Sequence, residues 1–201
     1  MWLAEARTYL FPAADERSPG FRAEIESSCR QGLRIIGSIQ IAVSIFMLAA
    51  RFLVAPGGQT LPLRSKQAAL IVALGLLDIG AAALRLSGGW LRLVAVLSAI
   101  VTAGTLIWAS LVAAAQSTSP NDFIPGQITL VLLVTVTIIP LRPLHTLFLG
   151  AAILSEYITM AAVAEQSLLE GLGPDQNYVI FIVMLTLLSV GITAVLYAQR
   201  W

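Results

Sequence analysis

Residues 178–198 read YVIFIVMLTLLSVGITAVLYA. The run is 21 residues long, carries no charged side chain and lacks polar/apolar alternation. A bilayer core about 30 Å thick is crossed by roughly 20 apolar residues in a helix. In lipid only a helix or a closed barrel satisfies its own backbone hydrogen bonds, and barrel strands alternate in polarity. This segment therefore reads as a membrane-spanning helix. Runs of the same character extend back to Ile35, and spans are expected at 35–54, 67–84, 93–115, 123–139 and 144–164. Chain breakers separate them: Pro56-Gly57-Gly58, Ser87-Gly88-Gly89, a polar stretch at 116–122, the Pro140/Pro143 turn and an acidic stretch at 165–176. Pro125 and Gly126 interrupt the start of the fourth span. The expected class is an all-α polytopic membrane protein, with a six-helix transmembrane domain over 35–201 behind a cytoplasmic leader over 1–34.

Composition agrees. Apolar residues make up 58% of the chain and charged residues 11%, against about 25% charged in soluble domains. The leader divides into an amphipathic helix over 1–11 with Trp2, Ala6, Tyr9 and Leu10 on one face, a turn-rich linker over 12–20, and a charged helix over 21–34. Phe21, Ile25 and Gly32 share a face of that last helix, which runs without a breaker into the first span. Orientation follows from Lys and Arg. Nine fall on the leader's side (Arg7, Arg17, Arg22, Arg30, Arg34, Arg85, Arg92, Arg142 and Arg200) and three opposite (Arg51, Arg64 and Lys66). Both termini are therefore expected in the cytoplasm, with Arg51, Arg64 and Lys66 snorkelling to the outer headgroups. The start of the chain lacks a cleavable signal peptide, so the first span serves as its own signal. Cys29 is the single cysteine, which excludes an intrachain disulfide.

Ionisable groups inside spans are costly, by about 3 kcal/mol on insertion scales, and mark functional candidates. Glu156, in Leu154-Ser155-Glu156-Tyr157, lies near the middle of the fifth span and must be neutral or paired. It and Tyr157 are candidates for sensing a ligand or a proton, against a plain interhelical hydrogen bond. Asp78 is the second such candidate. Arg85, seven residues on, shares its helical face two turns away, beyond direct pairing. His145 and Arg142 sit in the inner turn before the fifth span as interface and anchor residues. One Cys and one His do not make a zinc site, and a single His excludes bis-histidine haem ligation. The only lysine, Lys66, is expected in a loop, so no span offers a Schiff-base lysine. No Gly-x-Ser-x-Gly elbow, Walker loop or basic run appears, so no metal, cofactor or nucleic acid is expected. Ala69/Ala73 and Ala99/Ala103 have the four-residue spacing that lets helices approach closely.

Four short stretches carry a resemblance. They are Phe21-Arg22-Ala23-Glu24-Ile25-Glu26, the Gly32-Leu33-Arg34 entry to the first span, Pro140-Leu141-Arg142-Pro143-Leu144 and the Tyr197-Ala198-Gln199-Arg200 exit. Together they resemble the N-terminal six-helix membrane region of bacterial sensor histidine kinases. Similar regions precede class III nucleotide cyclases. The resemblance implies a multi-pass sensor or anchor in a bacterial inner membrane, with the lipid bilayer around it and a homodimer as the working unit. Catalytic output would follow Trp201 and act on a cytoplasmic response regulator. Phosphoacceptor-histidine and ATP-binding motifs are absent from these 201 residues, so no enzymatic activity is assigned to them. The rival expectations are a small transporter using Glu156 and Asp78, and a structural membrane protein.

Overall fold

A computed structural model describes residues 19–54, 61–116, 124–168 and 173–199. The amphipathic helix expected over 1–11, with Arg7 and Arg17, lies outside the described residues, as do Arg200 and Trp201. Six helices follow in order: α1 Pro19–Val54, α2 Leu61–Ala83, α3 Gly88–Gln116, α4 Ile124–Ile138, α5 Pro143–Ser167 and α6 Gln176–Gln199. Among the described residues there is no strand. Five helices are long and apolar enough to cross a membrane, and α4 is a shorter apolar helix. The chain is an all-α polytopic membrane protein.

The surface has the polarity of a protein in lipid. Phe46, Leu53, Leu76, Leu77, Trp90, Phe148 and Met184 are all exposed, while Gln40, Asp78, Ser98, Thr102, Thr135, Ser189 and Thr193 are buried. Each helix buries one stripe. In α1 it is Ile25, Cys29, Leu33, Ile36, Gln40 and Ser44, spaced by three or four residues as helical periodicity demands. The stripe is apolar through Ile36 and polar beyond it. Helix α3 is the hub, packed against α1, α2, α4 and α5.

Helix α1 has 36 residues and is about 54 Å long at 1.5 Å per residue. Hence the expected boundary at 34/35 falls in the middle of one continuous helix. Its first half is not a detached leader. Ile25, Cys29 and Leu33 belong to the same buried cluster as Leu91, Val136 and Ile139. Arg30 crosses to the end of α2 and donates to the carbonyl oxygens of Ala82 (3.4 Å), Leu84 and Leu86 (3.0 Å). Those carbonyls lie at a helix C-terminus, where the last acceptors have no intrahelical donor. Glu26 Oε1 accepts from the Gly88 N–H at 3.3 Å, at the first residue of α3.

Several sequence expectations change. The linker ends earlier than residue 20, because Pro19 opens α1, and a first-turn proline has no intrahelical N–H to lose. Lys66 is not in a loop: α2 starts at Leu61 and carries Arg64 and Lys66 in its opening turns. Lys66 is exposed. Arg64 is buried and donates to Gln67 Oε1 at 2.8 Å rather than snorkelling. Gly88 and Gly89 do not separate spans but open α3. Pro125 does not interrupt the fourth span, since it stands in the first turn of α4. With 15 residues, α4 is only about 22 Å long, less than the bilayer core. Ala69 and Ala73 face outward, whereas Ala99 and Ala103 are buried as the spacing predicts. A close backbone approach of α1 and α2 involves other residues, Gly37 and Gly75. A Cβ on Gly75 would stand 2.6 Å from the Gly37 carbonyl oxygen.

Candidate functional site

Two polar centres flank α3. The first is an open groove of about 470 Å³ between α2, α3 and α5, within the size range of small-molecule sites. Leu63, Lys66, Gln67 and Leu70 form one wall, Val101, Gly104, Thr105 and Trp108 the floor, and Glu156 with Met160 the other wall. The walls come from the half of α2 and α3 assigned to the outer leaflet by the charge rule. Glu156 reaches into this groove because α3 has no side chain in its way. A Cβ on Gly104 would lie 3.1–3.2 Å from the Glu156 carboxyl atoms. Glu156 is half-buried, and its buried Oε2 has no hydrogen-bond partner among the described residues. The arrangement is an apolar trough with one carboxyl acceptor at depth and Lys66 lining it. It fits an amphipathic molecule that offers a hydrogen-bond donor or a positive group to Glu156.

Tyr157 does not share this site. Consecutive helical residues are about 100° apart, and the Tyr157 side chain turns toward α6. It is buried, its hydroxyl accepts from the Asp175 N–H at 3.0 Å, and its ring lies 5.9 Å from that of Tyr178. Its role is to hold the start of α6 against α5.

The second centre surrounds Asp78, which is 1% exposed. Arg85 does not share its face: α2 ends at Ala83, and Arg85 is exposed beyond it. The partner of Asp78 is Ser98 on α3, whose hydroxyl donates to Asp78 Oδ2 at 2.7 Å. Gln40 on α1 closes the cluster. Its Nε2 donates to Ser98 Oγ at 3.2 Å and to Thr102 Oγ1 at 3.0 Å. Antiparallel packing explains the convergence. Arg30 meets residues 82–86 and Gly37 meets Gly75, so α1 and α2 run in opposite directions. Helical side chains lean toward their own N-terminus, so Gln40 and Asp78 lean toward each other at the level of Ser98. Sequence reading singled out Asp78 but missed Gln40, Ser98 and Thr102. A glutamine at 40 inside an otherwise apolar stripe was the available signal.

A third cluster closes the end of the bundle where α6 finishes. Arg92 on α3 is buried, and its Nε donates to the Pro140 carbonyl at 2.8 Å. Tyr197, near the end of α6, is buried and makes side-chain hydrogen bonds with Arg142 and Arg92. His145 stands in the first turn of α5, beside the charges of both arginines. Arg142 is thus more than an interfacial anchor, because it meets the exit helix. About one turn deeper, Thr146 and Thr193 hydrogen-bond across α5 and α6 at 3.0 Å. Among the described residues, no group of three or more His, Cys, Asp or Glu side chains is placed to hold a metal ion.

These features define a multi-pass helical membrane protein with carboxyl groups set into its interior. Compared with known proteins, the chain matches no family model, no curated protein and no solved structure.

Proposed function

We propose that this chain is the membrane-embedded input module of a signal-transduction protein in a bacterial inner membrane, of the kind that precedes a histidine kinase or a nucleotide cyclase. The observation that carries the reading is the attachment of Tyr197, on the last turn and a half of α6, to Arg92 and Arg142. An exit helix fastened this way moves with the bundle. Helix α3 joins the parts: Gly104 contributes the floor of the Glu156 groove, and Arg92 holds Tyr197 about 18 Å away on the same helix. A ligand that binds in the groove against the Glu156 carboxyl would favour one packing of α3 against α5. Arg92 would carry that preference to α6 and then to a homodimeric output acting on a cytoplasmic response regulator. Such a module needs two discrete packings biased by the ligand.

The test is phase dependence. One to three residues are inserted after Ala198 in fusions to a two-component kinase core, and phosphotransfer is measured for each. Each residue turns a helix by about 100°, so output should rise and fall along the series. A flat series would reduce the module to a passive anchor.

A transporter is the second reading. It is favoured by the presence of two inward-set carboxyls, Asp78 and Glu156, both in contact with α3. Solute uptake into liposomes containing the chain alone would select it.

A further inference from the structure

The Asp78 cluster is short of positive charge. Asp78 Oδ2 accepts from Ser98, but among the described residues Oδ1 is buried with no partner, and so is Gln40 Oε1. Asp78 is 1% exposed and Gln40 9%, so bulk water does not supply the missing donors. Among the described residues no Lys or Arg pairs with Asp78. Two more oxygens, Ser98 Oγ and Thr102 Oγ1, lie within hydrogen-bond distance of the Gln40 amide. Ser98 bonds both Gln40 and Asp78, and Gln40 links Ser98 to Thr102, so the four side chains form one connected polar cluster in which the Gln40 amide faces the two hydroxyls.

We propose that Asp78, Gln40, Ser98 and Thr102 form a binding site for a monovalent cation of sodium size. Hard cations take oxygen ligands, and here a carboxylate, a carboxamide and two hydroxyls supply them from three helices. One carboxylate balances one positive charge, which selects a monovalent ion over a divalent one. The close backbone contact of Gly37 with Gly75 keeps α1 and α2 tight around the site, which favours a small ion. Bound there, the ion gives the orphan Asp78 Oδ1 its partner, draws Gln40 Oε1 in by rotation of the amide, and ties α1, α2 and α3 together. None of the four residues lines the Glu156 groove, and the site stands whether or not the module signals.

The test uses the full chain purified in detergent. Thermal unfolding is followed by tryptophan fluorescence in NaCl, KCl and choline chloride at equal ionic strength, and binding of ²²Na⁺ is measured by scintillation proximity. Sodium should raise Tm by roughly 5 °C at saturation, in a concentration-dependent way. Potassium should do less, and choline nothing. One ²²Na⁺ should bind per chain. Asp78→Asn should abolish both signals. Ser98→Ala and Thr102→Ala should weaken sodium binding at least tenfold. If Asp78→Asn fails to fold, the milder pair and ²²Na⁺ binding to the unaltered protein decide the matter. Equal Tm in all three salts with no bound ²²Na⁺ overturns the proposal. So does a Tm that follows pH through Asp78 with no sodium dependence, which would make the occupant a proton.

Discussion

Gly37 and Gly75 meet backbone to backbone where α1 crosses α2. Each would place an added Cβ against the other's carbonyl oxygen, at 2.6 Å in the case of Gly75. The carbonyl cannot swing aside as a side-chain tip can, so any larger residue must push the helices apart. Gly75→Leu should lower stability by about 3 kcal/mol, at the upper end for overpacking. Gly80 lies five residues on in the same helix, and a Cβ there meets nothing within 4 Å. Gly80→Ala should leave stability unchanged or slightly raised. Equilibrium unfolding in mixed micelles compares the two.

Arg30 should matter more than its position near the membrane edge implies. Arg30→Ala removes the donor for carbonyl oxygens at the end of α2, and charged hydrogen bonds contribute about 1.5–3 kcal/mol each. We expect a loss of about 2 kcal/mol and faster hydrogen exchange over residues 84–92. Arg34→Ala, one turn on and exposed, should change neither.

The groove makes a separate prediction. Glu156→Ala should weaken output, or membrane yield, more than Glu165→Ala, whose side chain is exposed. Glu156→Gln separates two roles, since a hydrogen-bonding role survives it and a protonation role does not. Gly104→Val fills the floor of the groove and should weaken ligand binding about tenfold, equivalent to ~1.4 kcal/mol, while leaving the Asp78 cluster intact. Ligand titration on the signalling fusion reads both effects.

Topology can be read by labelling with an impermeant maleimide. Cys29 itself is 0% exposed, so it would stay unlabelled on either side and is a poor reporter. Single cysteines belong instead at exposed positions, in a Cys29→Ala background: Arg85 and Gln199 on the inner rim, Gln166 and Asn177 on the outer. In intact cells, positions 166 and 177 should label and 85 and 199 should not. The reverse pattern would invert the bundle.

Hydropathy located the six helices because lipid imposes one simple rule on a long segment, but it missed the start of α1, which is Pro19 rather than Ile35. What it could not see were pairings. Gln40 bonds residues 58 and 62 positions away, and nothing local marks that. Ala69/Ala73 had the spacing of a packing motif but faces outward, while Gly37 and Gly75 pair across a hairpin without any repeat inside either helix. Glu156 and Tyr157 stood side by side as candidates, yet one turns to α3 and the other to α6. Asp78 and Arg85 fell on one face only if α2 continued, and it stops at Ala83. Pro125 and the Gly88-Gly89 pair read as breakers in the sequence, yet each stands in the opening turn of a helix, where a proline has no intrahelical N–H to lose.

The long first helix also has a consequence for biogenesis. Its opening turns are the earliest of the described residues to leave the ribosome, yet their partners come later: Leu86 and Gly88 through Arg30 and Glu26, and then Val136 and Ile139 in the shared buried cluster. Synthesis runs from the N-terminus at about 5–20 residues per second. The stretch from Phe21 to Leu33 must therefore wait some seconds, with its apolar stripe uncovered, until the fourth helix emerges. Whatever shelters it during that interval, be it membrane surface or insertion machinery, is the first partner this protein meets.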